Sequence, residues 1–425
     1  MFSKVNDKNE AGQNMNLPRQ HLLHVYHAAL AVVRGEICTR EVLAGYDPGR
    51  PVVVIAIGKA ASSMMMGAIT ALGDMFDEGL LITKEGYCDK KLQGMKNIQC
   101  LESAHPVPDQ RSLYAGRMLL EFMAVRPVEQ DFIFLISGGA SSLVEVLPDK
   151  LHLEDLQKVN HWLLGSGWSI TEMNRVRKSL SCIKGGRLAQ RLTGHHVNCL
   201  MISDVPDNSP QVIGSGFLSP GIIDELQSED MPEWIKTLPK APPAPLWDDV
   251  CFNTIDVRIV AKLEDAMQAA KKMATALGYD VYLHEELITC DAQLAGQQLA
   301  RALYDGEFGL HIWGGETTVR LPDNPGQGGR NQQLALAAAA ELTGMEGHYF
   351  LAAGTDGSDG PTQTAGALVD GHTLQRGIQA GFDVQQTLTS ANAGDFLHAS
   401  GDLIVTGPTG TNVMDLMLAI KRPVV

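Results

Sequence analysis

Apolar residues in this chain gather in short dense runs, and six of these runs open directly into glycine-rich loops. They are Val52–Lys59, Phe132–Ser142, Leu200–Asp207, Leu310–Thr318, Tyr349–Gly360 and Asp402–Asn412. A run of Val, Ile, Leu and Phe with no polar face reads as a strand covered on both sides, the habit of parallel sheets. Helix-like spacing follows most of them, so the expected fold class is α/β. Ligands gather where the strands of such sheets end, because loop N–H groups and helix N-termini converge there. Six repeats of this arrangement point to one large site for an anion.

The segments between these runs set the domain expectation. Residues 1–20 are polar and read as a frayed tail, and 21–48 read as helix with Ala29, Leu30 and Val33 on its apolar face. Four prolines between Pro239 and Pro245 fit neither a helix interior nor a central strand, and are expected to form an interdomain linker. Beyond them, 256–260 reads as strand, 261–277 as helix stopped by Gly278, and 279–283 as strand. The expectation is two α/β domains, 1–245 and 246–425, with a ligand cleft between them.

Composition narrows the function. A net charge of −15 argues against a nucleic-acid partner. No apolar stretch reaches the length of a membrane span, and the first residues lack a signal-peptide core, so a cytoplasmic location is expected. The seven cysteines form no C-x-x-C pair and fit reduced thiols. The thirteen histidines show no H-x-x-x-H or H-E-x-x-H spacing, which disfavours a transition-metal site.

Within this acidic chain, the window Met173–Ser203 holds six basic residues and no Asp or Glu: Arg175, Arg177, Lys178, Lys184, Arg187 and Arg191. Gly185 and Gly186 lie between two of these cations, where bare backbone can offer N–H groups to phosphate oxygens; the alternative is a solvated basic helix face. Ser137-Gly138-Gly139-Ala140-Ser141-Ser142 has the small residues and hydroxyls of a phosphate cradle. Neither a Walker A loop nor a G-x-G-x-x-G dinucleotide fingerprint is present. Lys59 closes the first run just before a helix start, and Arg330 follows three glycines ahead of the Ala-rich helix 334–342. Both suit anion capture. Carboxylates at strand ends, Asp204, Asp207, Glu316, Asp356 and Asp359, are candidates for Mg²⁺ or a general base. Turn chemistry accounts for Asp in a glycine loop equally well. Lys and Arg, glycine N–H groups and carboxylates together supply what phosphoryl transfer requires.

These motifs resemble, in order and over nearly the whole chain, the class II glycerate 2-kinases, whose C-terminal half is the MOFRL domain. The matching segments include Ile57–Ala60, Ser137–Ser142, Val176–Ser181, Ile183–Arg187, Ile202–Pro206, Gly314–Thr318, Gly328–Gln332, Gly354–Gly357 and Thr406–Asn412. The resemblance implies a Rossmann-like N-terminal domain and a smaller α/β MOFRL domain. It also implies ATP-dependent phosphorylation of D-glycerate to 2-phosphoglycerate with Mg²⁺. Some members carry hydroxypyruvate reductase names. By motif position, Lys59 and Arg330 are the catalytic candidates. Arg177, Lys178 and Asp204 are assigned to substrate. Ser137, Gly138, Gly139, Ser141, Ser142, Lys184, Gly185 and Gly186 are assigned to nucleotide, and Asp204 and Asp356 to metal. The segment Asp207-Asn208-Ser209 departs from the family's Gly-Asp-Asp. The expected partners are glycerate and ATP, with no nucleic acid and no membrane; a homodimer is left open. An NAD(P)H-dependent hydroxypyruvate reductase and a non-catalytic anion-binding protein of the same fold are the alternatives.

Overall fold

The computed structural model describes residues 9–423 except 167, 169 and 222–230. Its strands are β1 Val52–Ile57, β2 Phe76–Lys84, β3 Ile98–Ser103, β4 Phe132–Ile136, β5 Val197–Ile202 and β6 Ile255–Ala261. They continue with β7 Val281–Leu283, β8 Gly309–Gly315, β9 His348–Gly354, β10 Gly366–Asp370, β11 Leu403–Ile404 and β12 Asp415–Lys421. The chain packs as two α/β units.

One unit comprises Arg34–Lys262 with Gly410–Asn412. Its sheet runs β3-β2-β1-β4-β5-β6, parallel throughout. This is the doubly wound order whose switch point falls between β1 and β4. Every residue of β1 and of β4 is buried, as their unbroken apolar runs require. Val53, Ile55 and Ile57 pack with Phe132, Phe134 and Ile136 against Leu119 and Met123 of the helix Gln110–Ala124.

The other unit holds the described residues up to Val33, Leu263–Thr409, and those from Val413 onward. Its sheet runs β11-β10-β9-β12-β8-β7. Only β7 and β8 pair in parallel; the remaining pairs are antiparallel. The expectation of parallel strands therefore fails here. Strand β12 lies between β8 and β9 and pairs antiparallel with both, so β9 is buried with no parallel neighbour and β8 with only the short β7 beside it. The helices Ala292–Asp305 and Arg330–Glu341 pack on this sheet around Trp313, Phe350 and Met417.

The packing division differs from the expected boundary at 245. Strand β6 pairs with β5 and completes the first sheet. The proline run is built into the same unit: Ala241 N–H donates to Ser179 O at 2.9 Å, and Arg187 Nε to Pro242 O at 2.6 Å. The polar N-terminal segment is not a frayed tail from residue 9 on but part of the helix Asn9–Val32. Arg19 ties that helix to Asp370 and Asp402, and Tyr26 Oη donates to Gly354 O at 2.6 Å. Gly278 ends the helix Leu263–Ala276 in the left-handed region, as expected.

Candidate functional site

The first constellation stands at the carboxyl ends of β1 and β4, where the sheet order reverses. Gly58 has φ +133°, and a Cβ there would meet Ser137 Oγ at 2.2 Å, so only glycine lets the two strand ends approach. Ser137 Oγ accepts from Ala60 N–H at 3.0 Å and Lys59 N–H donates to Gly138 O at 2.9 Å, which stitches the loops together. The Ser137 hydroxyl therefore holds the scaffold rather than facing a phosphate. Gly138 and Gly139 keep backbone N–H groups with no acceptor among the described residues. A Cβ on Gly138 would overlap Asp204 and Asn412; one on Gly139, at φ +84°, would press on His105 and the Lys59 stem. Asn412 Nδ2 donates to Asp204 Oδ2 at 3.4 Å.

A cavity of about 240 Å³ opens beside this loop. It is lined by His105, Gly139, Ser141, Ser142, Asn160 and Arg177, and by the pair Glu145 and Lys184. Lys184 Nζ lies 2.5 Å from Glu145 Oε2 with both side chains buried, so its charge is matched. Arg177 is the contrast. Its Nε donates to Asn160 Oδ1 at 2.9 Å and its Nη1 to Asn174 Oδ1 at 3.3 Å, both neutral acceptors. No carboxylate partners it among the described residues. Burial pulls its pKa below the ordinary guanidinium value, the sign of a cation lacking a counter-charge.

The basic window is largely structural. Lys178 is buried, donates to Gln211 O at 2.9 Å and does not line the cavity; burial lowers its pKa too. Arg187 donates to three carbonyls, those of Pro242, Lys178 and Lys184. The N–H groups of Gly185 and Gly186 donate to Ser215 O and Gly216 O at 3.0 and 2.6 Å. Those glycines shape a turn, and the donors they were expected to offer a phosphate are already used. Ser141 Oγ pairs with Ser215 Oγ at 2.8 Å and Ser142 Oγ donates to Gly139 O at 3.0 Å.

The second unit carries its own constellation, around Arg330 at the first turn of the helix Arg330–Glu341. Arg330 Nε lies 2.7 Å from Asp415 Oδ2 and Nη1 lies 2.9 Å from Glu316 Oε1. Burial alone would lower the Arg330 pKa; Asp415 and then Glu316 overcome it and hold the charge firmly. Asp415 reaches this place because β12 pairs it with Gly315 on one side and Gly354 on the other. Asp359 caps the helix, accepting from Asn331 N–H at 3.1 Å and Gln332 N–H at 2.8 Å. Its burial pushes the carboxyl up to about 7 against the pull of those donors. A Cβ on Gly329 would sit 2.3 Å from the Asp359 carboxyl carbon, which is why this helix starts on glycines. Asp356 Oδ1 accepts from Ser358 N–H and Oγ at 2.8 and 3.1 Å, so turn chemistry explains that carboxylate.

His105, Glu145, Asn160 and Asp415 escaped the sequence reading. For Glu145 and Asp415 a signal existed: each is one acid inside an otherwise apolar run, Leu143–Leu147 and Val413–Leu418. Asn160 gave none.

The comparisons decide the family. Residues 21–242 match the family described as "Domain of unknown function (DUF4147)" and residues 309–415 match the MOFRL family. The D-glycerate 2-kinase of Thermotoga maritima is 36% identical, covering 87% of this chain and 90% of the relative. The chain belongs to the glycerate 2-kinase family. A family relative from Agrobacterium vitis named as a hydroxypyruvate reductase is 35% identical, over 94% of this chain and 93% of its own. The crystal structure of a glycerate kinase from Thermotoga maritima superposes with a TM-score of 0.80 at 32% identity, covering 96% of this chain and all of that one. The two-unit α/β architecture is thus the one this kinase family uses. No helix among the described residues is long and apolar enough to cross a membrane.

Proposed function

We infer that this chain is a glycerate 2-kinase that transfers the terminal phosphoryl group of ATP to the C2 hydroxyl of D-glycerate. The observation that carries the reading is the cavity at the β1/β4 switch point, with Arg177 half-buried in its wall and matched by no carboxylate among the described residues. A cavity of about 240 Å³ takes about eight water volumes, room enough for a three-carbon hydroxy acid with a few waters and too little for a whole nucleotide. A partly desolvated cation with only neutral partners gains from an anion that completes it. In this reading Arg177 grips the glycerate carboxylate. Lys59 and the Gly138 and Gly139 N–H groups face the phosphoryl group, where preorganised donors act on developing charge. Arg330 supplies the second catalytic cation.

Mg²⁺ in such sites takes one or two protein carboxylates and completes its shell with phosphate oxygens and water. The described residues form no cluster of three His, Cys, Asp or Glu. Asp204 or Asp356 would be its protein ligand; when bound, it would neutralise polyphosphate charge.

The deciding experiment is phosphate transfer from ATP to D-glycerate with and without Mg²⁺, beside NADH consumption with hydroxypyruvate. Production of 2-phosphoglycerate supports the reading. NADH oxidation without phosphate transfer would replace it with the reductase named among the relatives.

A further inference from the structure

A second chemical site lies outside the kinase machinery, on the loop between β2 and β3. Glu102 of β3 draws this loop onto the strand: its Oε1 accepts from Gly86 N–H at 3.1 Å and from Cys88 N–H at 3.2 Å. Cys100 stands two residues before Glu102, so both side chains leave the same face of β3. The Glu102 bonds thus bring Cys88 to the face of β3 that carries Cys100, where the two thiols interact; the Cys88 sulfur also lies 4.0 Å from Asp89 O. Both thiols are partly exposed, whereas Cys38, Cys199 and Cys251 are buried. We propose that Cys88 and Cys100 are a redox pair that closes a reversible disulfide on meeting a low-molecular-weight disulfide such as oxidised glutathione, and that closing it slows phosphoryl transfer.

The chemistry balances. The Cys100 thiolate attacks one sulfur of oxidised glutathione; an S–S bond forms to the protein and one glutathione thiolate leaves. The Cys88 thiol loses its proton to solvent and attacks the Cys100 sulfur of that mixed disulfide, expelling the second glutathione thiolate. Two protein thiols are oxidised to a cystine, one glutathione disulfide is reduced to two thiols, and the two protons pass to the departing thiolates. The order follows from the local field: interaction with the Cys88 thiol lowers the Cys100 pKa against burial and Glu102, while Cys88 itself is raised.

Two connections lead from this pair to the candidate site. Ser62, in the first turn of the helix that follows Lys59, donates to Tyr87 O at 2.8 Å and accepts from Asp89 N–H at 3.3 Å, so it grips the loop on both sides of Cys88. Strand β3 runs on past Ser103 to His105 in the cavity wall. Drawing the two sulfurs together pulls on both connections.

The test treats the intact reduced protein with oxidised glutathione, then maps disulfides after trypsin digestion without reductant. The expected product is one cross-link joining peptides 85–90 and 97–111, with a severalfold fall in kinase rate that dithiothreitol restores. Cys88→Ser should trap glutathione on Cys100 and Cys100→Ser should leave Cys88 largely unmodified, both variants melting as the parent does. Free thiols after prolonged treatment, cross-links scattered over other cysteines, or preferential trapping on Cys88 would overturn the pair. A Cys88–Cys100 disulfide with an unchanged rate would overturn its coupling to the kinase. Absence of kinase activity in the reduced protein would instead refute the proposed function, and the mapping result stands apart from it.

Discussion

Replacing Arg177 by Met should separate binding from folding. The substitution removes two hydrogen bonds to Asn160 and Asn174 and a desolvated charge that has no carboxylate partner among the described residues. Losing the bonds costs about 1–3 kcal/mol, and relieving the partly desolvated charge returns a similar amount. The ligand-free variant should therefore unfold within about 1 kcal/mol of the parent. Binding has no such compensation. The Nη2 edge of Arg177 makes no hydrogen bond to a described residue and is available for a forked grip on a carboxylate. Charge-assisted bonds contribute about 1.5–3 kcal/mol each, so a forked pair less the carboxylate's desolvation leaves about 2–4 kcal/mol. That is a rise of roughly 30- to 1000-fold in the KM for glycerate. Thermal unfolding under a glycerate titration reads both halves: ligand at about a hundred times the parent's Kd should stabilise the parent by about 2.7 kcal/mol and the variant, at that concentration, by under about 1 kcal/mol. Arg177→Lys, which keeps the charge and loses the fork, should fall between them. A variant with the parent's KM, or one that loses several kcal/mol of stability without ligand, would refute the assignment of Arg177 to the substrate.

Lys59→Ala should lower kcat by about 10²–10³-fold, the loss typical of one preorganised donor, and change stability by under about 1 kcal/mol because the side chain is half-exposed; retained turnover would remove it from the mechanism. Urea unfolding should separate the two acids on Arg330: Asp415→Asn should cost about 2–4 kcal/mol and Glu316→Gln under about 1 kcal/mol, because Asp415 is 1% exposed and Glu316 40%; equal losses would contradict the geometry. Asp359 makes stability depend on pH, since its carboxyl sits near 7 in the fold and near 3.8 unfolded. Below about 4 both states hold the proton; between about 4 and 7 only the folded one does, so stability falls by up to about 1.4 kcal/mol per pH unit as pH rises and then levels. Asp359→Asn should flatten that interval in a pH series of denaturation curves, and an unchanged slope would place the titration elsewhere.

The strands at the switch point were legible because β1 and β4 are unbroken apolar runs, and the glycines after them were legible because Gly58 and Gly138 answer to contacts no other residue permits. Strand direction in the second sheet was not. A strand buried on both faces reads the same whether its neighbours run with it or against it, and β12, which sets the antiparallel pattern, lies just beyond the sixth run. The basic window shows a related limit: spacing reveals that cations are concentrated, whereas their partners come from elsewhere in the chain. Glu145 matches Lys184 from 39 residues away, and Pro242 O engages Arg187 from 55. Of the six basic residues only Arg177 lines the cavity without a charged partner among the described residues.

Arg177 and Arg330 follow opposite electrostatic logic. Arg177 is held by neutral amides, so its field is uncancelled and an anion improves an otherwise unfavourable state. Arg330 is flanked by two carboxylates, and the local charge is already negative before any phosphate arrives. A polyphosphate can approach Arg330 only where one carboxylate yields. Asp415, at 1% exposure, cannot leave without stranding a buried charge, whereas Glu316 at 40% can rotate into water at a cost below about 1 kcal/mol. The catalytic role assigned to Arg330 thus depends on exchanging Glu316 for phosphate while Asp415 keeps the guanidinium aimed. The substrate role assigned to Arg177 requires no exchange.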